Sequence, residues 1–392
     1  MDQWINQSEV ISLAKKLISI QSHKENQGQE FTIAHFIKDV FKAEKIMTEL
    51  EEIEPHRPNV YGFLPGSNSG HYFMFNGHTD TVPGFNMEYD PFKPFIENGR
   101  LYGRGSVDMK GALAAMISAM IAIKRKGIPL KEGVVFAGVI DEEQCCKGTE
   151  RIVRTKVIEP TLAIIGEPTN LKTAIAHKGM EWIEVTFQGL ATHGSTPRNG
   201  INAIYLANEF LTLLRNELEP KLEKKIYPLL GSATINPGVL KGGNDPNIVP
   251  DHCILQIDRR WLPSESILEL YEEIEEIATK AIAKCNGGSF LIKRMDEATA
   301  ALYNMPHSIS PDDPFVIETL RISENITKVK SGPVAFPGWS DGAQLSNNLD
   351  TSVIVLGPGD ITQAHSNNEF CSIDQIWQAT HIYYSLIEKF CM

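Results

Sequence analysis

The chain has 392 residues, long for one compact core, and its 42% hydrophobic, 8% aromatic and 22% charged content is that of an ordinary soluble globular protein. A net charge of −12 argues against nucleic acid or an anionic membrane as partner, since both select basic surfaces. No apolar run approaches the ~20 residues of a membrane span.

Near the start, Trp4, Val10, Ile11, Leu13, Leu17 and Ile18 are interleaved with Glu9, Lys15 and Lys16. This predicts an amphipathic helix of the mature fold rather than a signal peptide. Residues 72–75 form a short apolar run that stops at Asn76-Gly77, and 111–124 are Ala- and Met-rich with helical length and propensity. Residues 134–140 form a β-branched run stopping at Asp141, and 162–165 another, stopping at Gly166-Glu167. Such alternation is the pattern of an α/β fold. The middle of the chain differs. Residues 182–187 alternate as a half-buried strand does, 202–214 are helical, and the charged run 217–225 reads as a solvated helix end and turn. Residues 252–257 are strand-like and 267–285 have a clear helical period. A small α/β sandwich at 178–294 is therefore expected, inserted into a larger domain made of 1–177 and 295–392. The α/β pattern resumes at 352–356, followed by GPGD and an amphipathic helix over 373–389.

The cysteines at 145, 146, 253, 285, 371 and 391 contain no Cys-x-x-Cys, and an adjacent pair is a poor basis for a disulfide framework in a chain this large. Reduced, cytoplasmic thiols are expected. Cys145 lies close to Glu143, but no neighbour offers it a dedicated base, so it reads as a small residue on a turn. Gly103-Arg104-Gly105 has neither a P-loop lysine nor a dinucleotide pattern around it and reads as a tight turn.

The chemistry concentrates in FNGHTDTVP, with His78 and Asp80. Four further sites join it: Asp108 in GSVDMKG, Glu142-Glu143 in VIDEEQ, Glu167 in IIGEPT and His365 in AHSNNE. Open α/β sheets build their sites at the carboxyl ends of strands. One His or Glu after a strand is most often a surface residue. The same arrangement at four strand ends, with Asp108 before a helix, points instead to a metal site. Two imidazoles and several carboxylates could hold a pair of divalent metals around one water, which is equipment for hydrolysis. In His-x-Asp both side chains fall on one face of an extended backbone, so Asp80 could accept the second ring N–H of a ligating His78. A turn residue is the bland alternative. Glu142 and Glu143 are neighbours facing opposite ways. One can bind metal while the other faces a water whose pKa the metal lowers towards ~7. Mixed imidazole and carboxylate ligation suits zinc and also admits cobalt or manganese.

The stretches NGHTDTVP, YGRGSVDMKGALAAM, the DEE of VIDEEQ, IIGEPT, GLATHGSTP, and GPG followed by AHSNNE span most of the chain. In this order and spacing they resemble a family of metal-dependent amidohydrolases. It contains acetylornithine deacetylase, succinyl-diaminopimelate desuccinylase, aminoacylase and the glutamate-releasing carboxypeptidase. The resemblance implies a metallopeptidase catalytic domain with a central mixed sheet flanked by helices, plus an inserted lid and dimerisation domain. It implies that His78 and Glu167 bind one metal, Glu143 and His365 the other, and that Asp108 bridges them. Glu142 then matches the general base and Asp80 the residue orienting His78, and the Asp108–Met109 peptide bond is expected to be cis.

His193 in GLATHGSTP matches a histidine that reaches a neighbouring subunit's site and stabilises the developing oxyanion, which implies a homodimer. Arg260, in Asp258-Arg259-Arg260, matches an Asp-x-Arg pattern whose arginine holds a substrate carboxylate through its planar fork. A salt bridge to an acid of the inserted domain is the alternative for either arginine. Asn247 in NDPNIVP, and Gly338 and Ser340 in PGWSDGAQL, match positions lining the pocket. There is one departure: desuccinylases often carry a basic residue directly after Ser-Asp-Gly, whereas Ser340-Asp341-Gly342 is followed by Ala343 and Gln344. The expectation is therefore an enzyme removing an acetyl-like group, rather than succinyl, from an N-acyl amino acid. A dipeptidase or small-peptide carboxypeptidase is the nearest rival. A metal-binding protein without turnover is a third reading, disfavoured by the spare carboxylate of Glu142.

Overall fold

The apolar runs at either end of the chain pair into one mixed sheet, as a computed structural model describing residues 3–68, 70–285, 287–295 and 301–392 shows. Two units divide the chain. The first runs to His177, takes in residues 301–302 and resumes at His307; the second begins at Lys178 and includes Tyr303–Pro306.

In the first unit the strands run in the order Met47–Glu54, Arg57–Leu64, Gly133–Val139, Tyr72–His78, Pro160–Ile165, Ser352–Val355, Ala174–His177 and His307–Ser308. The four middle strands, from Gly133–Val139 to Ser352–Val355, are mutually parallel; the flanking pairings along this order are antiparallel. Parallel strands are buried on both faces, which is why their sequences are unbroken apolar runs. Alternate residues separate cleanly. Phe73, Phe75, Val134, Phe136, Ile164 and Ile354 pack on one face against helices Gln7–Ser19, Phe31–Ala43, Lys110–Lys126, Pro314–Thr327 and Ile373–Cys391. Met74, Val135, Ala137, Ala163, Ile165, Val353 and Val355 meet Lys147–Thr155 and Gly342–Asn348 on the other. At ~1.5–3 kcal/mol per buried large side chain, these two layers are what fix the sheet. Register then sets the site: His78 lies opposite Val139, Asn76 opposite Ile165, and Ile165 opposite Val355, so the four carboxyl ends fall within two residues of one another.

Local signals bound the helices. Asn6 caps the first by accepting from the N–H groups of Ser8 and Glu9, and Ser372 caps the last by accepting from that of Gln375. Lys110–Lys126 ends at Gly127, whose φ of 71° is the left-handed stop that glycine adopts without strain.

The second unit is an antiparallel sheet of Thr234–Gly242, His252–Trp261, Gly179–Gln188 and Ser289–Arg294, in that order. Ile183, Val185, Phe187, Cys253, Leu255 and Ile257 point into a core shared with helices Ala203–Leu213 and Ile267–Lys284. Ser266 and Glu269 start the latter helix with reciprocal side-chain bonds. The charged run 217–225 is the helix end and turn that the sequence predicts. The helix continues through a π turn at Leu214–Leu218 into Glu219–Leu222, because Leu218 and Leu222, one turn apart, are both buried in this core.

Candidate metal centre

His78 is the last residue of its strand and 1% exposed; Glu142-Glu143, Glu167 and His365 follow the ends of the neighbouring parallel strands. Asp108 precedes Lys110–Lys126, and its peptide bond to Met109 is cis. The Met109 side chain is seated between the strand ends, since a Cβ on either Gly77 or Gly166 would come within 2.4 Å of its methyl. Those two glycines directly precede His78 and Glu167, so the small residues of both motifs make room for the Asp108 segment.

Asp108 lies between the two imidazoles. Its Oδ1 is 2.9 Å from His78 Nε2 and its Oδ2 is 3.3 Å from His365 Nε2. On the His78 side, Glu167 Oε1 is 3.5 Å from Nε2, and His78, Glu142 and Glu167 have ligand atoms all within 4.8 Å of one another. On the His365 side, Glu143 Oε2 is 3.0 Å from Nε2. The structure thus brings together His78, Asp108, Glu142, Glu143, Glu167 and His365.

Asp80 serves two partners. His78 Nδ1, as the N–H tautomer, donates to the Asp80 carbonyl oxygen at 3.0 Å, while the carboxylate Oδ1 lies farther off at 3.5 Å. The carboxylate instead accepts from the backbone N–H groups of Glu142 at 3.3 Å and Glu143 at 3.1 Å. Charge-assisted bonds of this kind contribute ~1.5–3 kcal/mol each, so Asp80 fixes both the imidazole and the acid pair. The acid pair sits on a turn whose first residue, Asp141, has φ 70°. Arg57 donates to Asp141 at 2.8 Å and is clamped by the buried Glu30, while Asn59 accepts from Ile140 N–H and donates to the Gly148 carbonyl, closing the base of the loop.

Electrostatics test whether this cluster suits a cation. Burial pushes Glu142 and Glu167 well above the usual carboxylate range, and Glu143 upward too, with neighbouring carboxylates adding to the effect. Burial would raise Asp108 as well, but bonds from His365 and His78 hold it well below its usual value. Burial opposes charge on His78, yet its bonds to Asp108 and Asp80 and the charge of Glu167 hold it well above the usual imidazole range. Bonds to Asp108 and Glu143 push His365 up to about 10. The protein alone must therefore neutralise an excess of facing carboxylates with protons. A cluster of hard oxygen donors and imidazoles in that condition fits divalent cations.

Ser340 is fully buried, with its hydroxyl 3.2 Å from His177 Nε2, and Gly338 is half-buried beside it. Asp341, which follows, accepts from Thr149 and adds its charge to Glu142. His193, Asn247 and Arg260 belong to the second unit. The His193 ring bonds Ser195 at 2.8 Å, in an exposed loop paired with Ile248. Asn247 is exposed, and its carbonyl accepts from Gly194 N–H. Arg259 is buried in salt bridges with Glu265 and Glu273, whereas Arg260 is half-exposed along the strand, paired with Asp258 at 2.9 Å. Cys145 and Cys146 lie on the Asp141 turn, and burial pushes both thiols up, away from nucleophilic thiolates.

Sequence reasoning missed a second tier of residues: Glu30, Arg57, Asn59, Arg104 and Glu369. Arg104 lies on the turn that the sequence predicts, and its side chain is buried and paired with Glu369 at 2.6 Å. The available signal was position, since Arg104 lies four residues before Asp108 and Glu369 four after His365.

Residues 74–389 match Peptidase family M20/M25/M40. The chain is 31% identical over 325 residues to the acetylornithine deacetylase of Pasteurella multocida (strain Pm70), covering 81% of this chain and 80% of that protein. Its fold is similar to that of aminopeptidase PepT from Bacillus cereus ATCC 10987, with a TM-score of 0.80 at 19% identity and coverage of 98% and 99%. It is also similar to the Bacillus subtilis YXEP protein, described as a dinuclear metal-binding peptidase of the M20 family. There the TM-score is 0.73 at 15% identity, with 97% of each chain covered.

Proposed function

The chain belongs to peptidase family M20/M25/M40 and is a metal-dependent amide hydrolase similar to acetylornithine deacetylase, and we propose that it releases an acetyl-like group from an N-acyl amino acid. The observation that carries this reading is the Asp108 carboxylate facing His78 with one oxygen and His365 with the other, with Glu142 beside the first pair. His78 and Glu167 would hold one ion, Glu143 and His365 a second, and Asp108 would be shared. Zinc is the first choice, with cobalt or manganese also compatible.

When bound, the ions polarise the amide carbonyl and make a water acidic enough to attack near neutral pH. Glu142 takes the proton of the attacking water and delivers it to the leaving nitrogen. Its half-buried position among other carboxylates raises its proton affinity, which suits a group that must accept and then give up a proton. Asp80 keeps the acid pair aimed through two N–H bonds. The second unit is proposed as lid and dimerisation domain, with His193 supplied to the partner's site as oxyanion donor. Arg260 is proposed to hold the substrate carboxylate; its half-exposed guanidinium supports this, whereas Arg259 is committed to buried acids. Asn247, Gly338 and Ser340 are proposed pocket positions. A cytoplasmic setting is supported by six cysteines free of disulfides. No helix among the described residues is long and apolar enough to cross a membrane.

A dipeptidase or small-peptide carboxypeptidase is the second reading, since the same two-metal site would serve either reaction. The test is a panel of acetyl-, formyl- and succinyl-amino acids and dipeptides with metal-loaded protein. Acetyl or formyl substrates are expected to lead. Succinyl substrates leading would overturn the inference from Ala343, and dipeptides leading would replace the deacylase reading.

A further inference from the structure

Arg104 and Glu369 form a buried pair whose hydrogen bond to the proposed centre is to the backbone of Asp108. Glu369 is fully buried and Arg104 is 1% exposed. Arg104 Nη1 donates to Glu369 Oε2 at 2.6 Å, and its Nε donates to the Pro83 carbonyl at 3.1 Å. The other carboxylate oxygen of Glu369 accepts from the backbone N–H groups of Val107 at 2.9 Å and Asp108 at 3.3 Å. The Glu369 carbonyl accepts from Gly103 N–H at 3.2 Å and from the Tyr89 hydroxyl at 2.8 Å. The strand Phe370–Ser372 pairs with Arg100–Tyr102, placing Phe370 opposite Tyr102. The segment from Gly103 to Asp108 and the segment from His365 to Glu369 thus leave the same end of this pair, and Glu369 ties them together just beyond it.

We propose that Arg104 and Glu369 are positioning residues that fix the Asp108 carboxylate relative to the His365 imidazole, and so set the divalent-metal affinity of the centre. This rests on the ligand set proposed above. Two backbone N–H groups would otherwise be buried without acceptors at the point where the chain turns to present Asp108, and only an anion can accept from both while pairing with a guanidinium. The guanidinium of Arg104 pairs with Glu369 in a place where burial penalises a lone carboxylate. Asp108 is in contact with both imidazoles, so loosening its backbone disturbs both halves of the centre. This role is distinct from mere stability. A buried ion pair can often be replaced by apolar side chains of similar volume without loss of stability, but an apolar side chain cannot accept the two N–H groups.

The test compares wild type, Glu369→Gln and the double variant Arg104→Met/Glu369→Met in metal-free form. Zn2+ affinity is read by competition with a chromophoric chelator and the site geometry by the visible spectrum of bound Co2+, with circular dichroism confirming the fold. The double variant is expected to fold and to bind Zn2+ about 10–100-fold more weakly, the range typical when a ligand's outer support is removed, with an altered Co2+ spectrum. Glu369→Gln, which keeps one acceptor oxygen, is expected to lose less. A folded double variant with wild-type affinity and spectrum overturns the proposal. A second measurement needs no variant: amide exchange of metal-free wild type, where protection at Val107 and Asp108 is expected before metal is added. Rapid exchange there overturns the brace even if neither variant folds. Wild type that takes up no divalent ion would overturn the metal centre itself, and the brace with it.

Discussion

The two imidazoles of the centre stand on unlike footings. His78 closes a strand with parallel neighbours on both sides, is almost inaccessible, and has its second nitrogen fixed by Asp80. His365 stands in a loop at φ 60° with 52% of its side chain exposed, and its bonds run to the acids of the centre, Asp108 and Glu143. The sheet pre-forms the first half; the second half is assembled by the loop and depends on the acids, or on metal, to hold it. Binding on the His78 side should therefore be tight and slow to exchange, and on the His365 side weaker and more labile.

The largest effect is expected where the two halves share a function. Glu142→Gln preserves shape and removes the proton acceptor, so kcat should fall by ~10²–10⁴-fold with metal content unchanged. Glu143→Gln should instead release metal from the His365 half. Equal metal loss in both variants, read by elemental analysis, would break the division of labour between these adjacent acids. Next in size is Asp80→Asn, which weakens the N–H bonds to both acids. It is expected to lower metal affinity or turnover by about 10–100-fold, checked by Zn2+ competition and steady-state kinetics. His365→Ala should leave one ion bound on the His78 half, whereas His78→Ala should disturb both. The reverse order would invert the comparison.

The smallest effect concerns pH and the stripped protein. His365 has its metal-free pKa raised from 6.5 to about 10, so in the folded state it holds a proton that the unfolded chain gives up. The stability it contributes is fully present below pH 6.5 and is lost as pH rises through about 10. Glu142, Glu143 and Glu167 are also raised, so each holds a proton that the unfolded chain releases near 4.5, and their contribution too declines with rising pH. Every one of these shifts has the same sign. The Tm of metal-free protein should fall from pH 6 to pH 9, and the gain on adding Zn2+ should grow over that span. A gain that shrinks with pH would mean that protons and metal do not compete for these groups.

Most of the proposed ligand residues were legible as candidates because they lie at or just behind the end of an apolar run, and parallel pairing makes those runs unbroken rather than alternating. His78, Glu142-Glu143 and Glu167 needed no more than that, and the cis bond expected after Asp108 is present. The inner partners of Asp80 were not legible. The sequence suggested a carboxylate for His78, but the acceptor nearest His78 is the Asp80 backbone, because the carboxylate is occupied by two N–H groups from a loop 62 residues away. Glu30 and Glu369 were missed for the same reason. A buried acid is recognisable only by its partner, and theirs lie 27 and 265 residues distant, at Arg57 and Arg104. The helix end and turn expected at 217–225 are present, with burial of Leu218 and Leu222 holding the helical part.

The central claim is that one carboxylate, Asp108, serves both halves. The direct measurement is Zn2+ stoichiometry and affinity by titration of metal-free wild type, His365→Ala and Asp108→Asn, each confirmed as folded. The result expected is two ions for wild type, one for His365→Ala, and weakened binding of both for Asp108→Asn. An Asp108→Asn protein that retains one ion at full wild-type affinity would contradict the claim, because the His78 half would then hold its metal without the shared carboxylate.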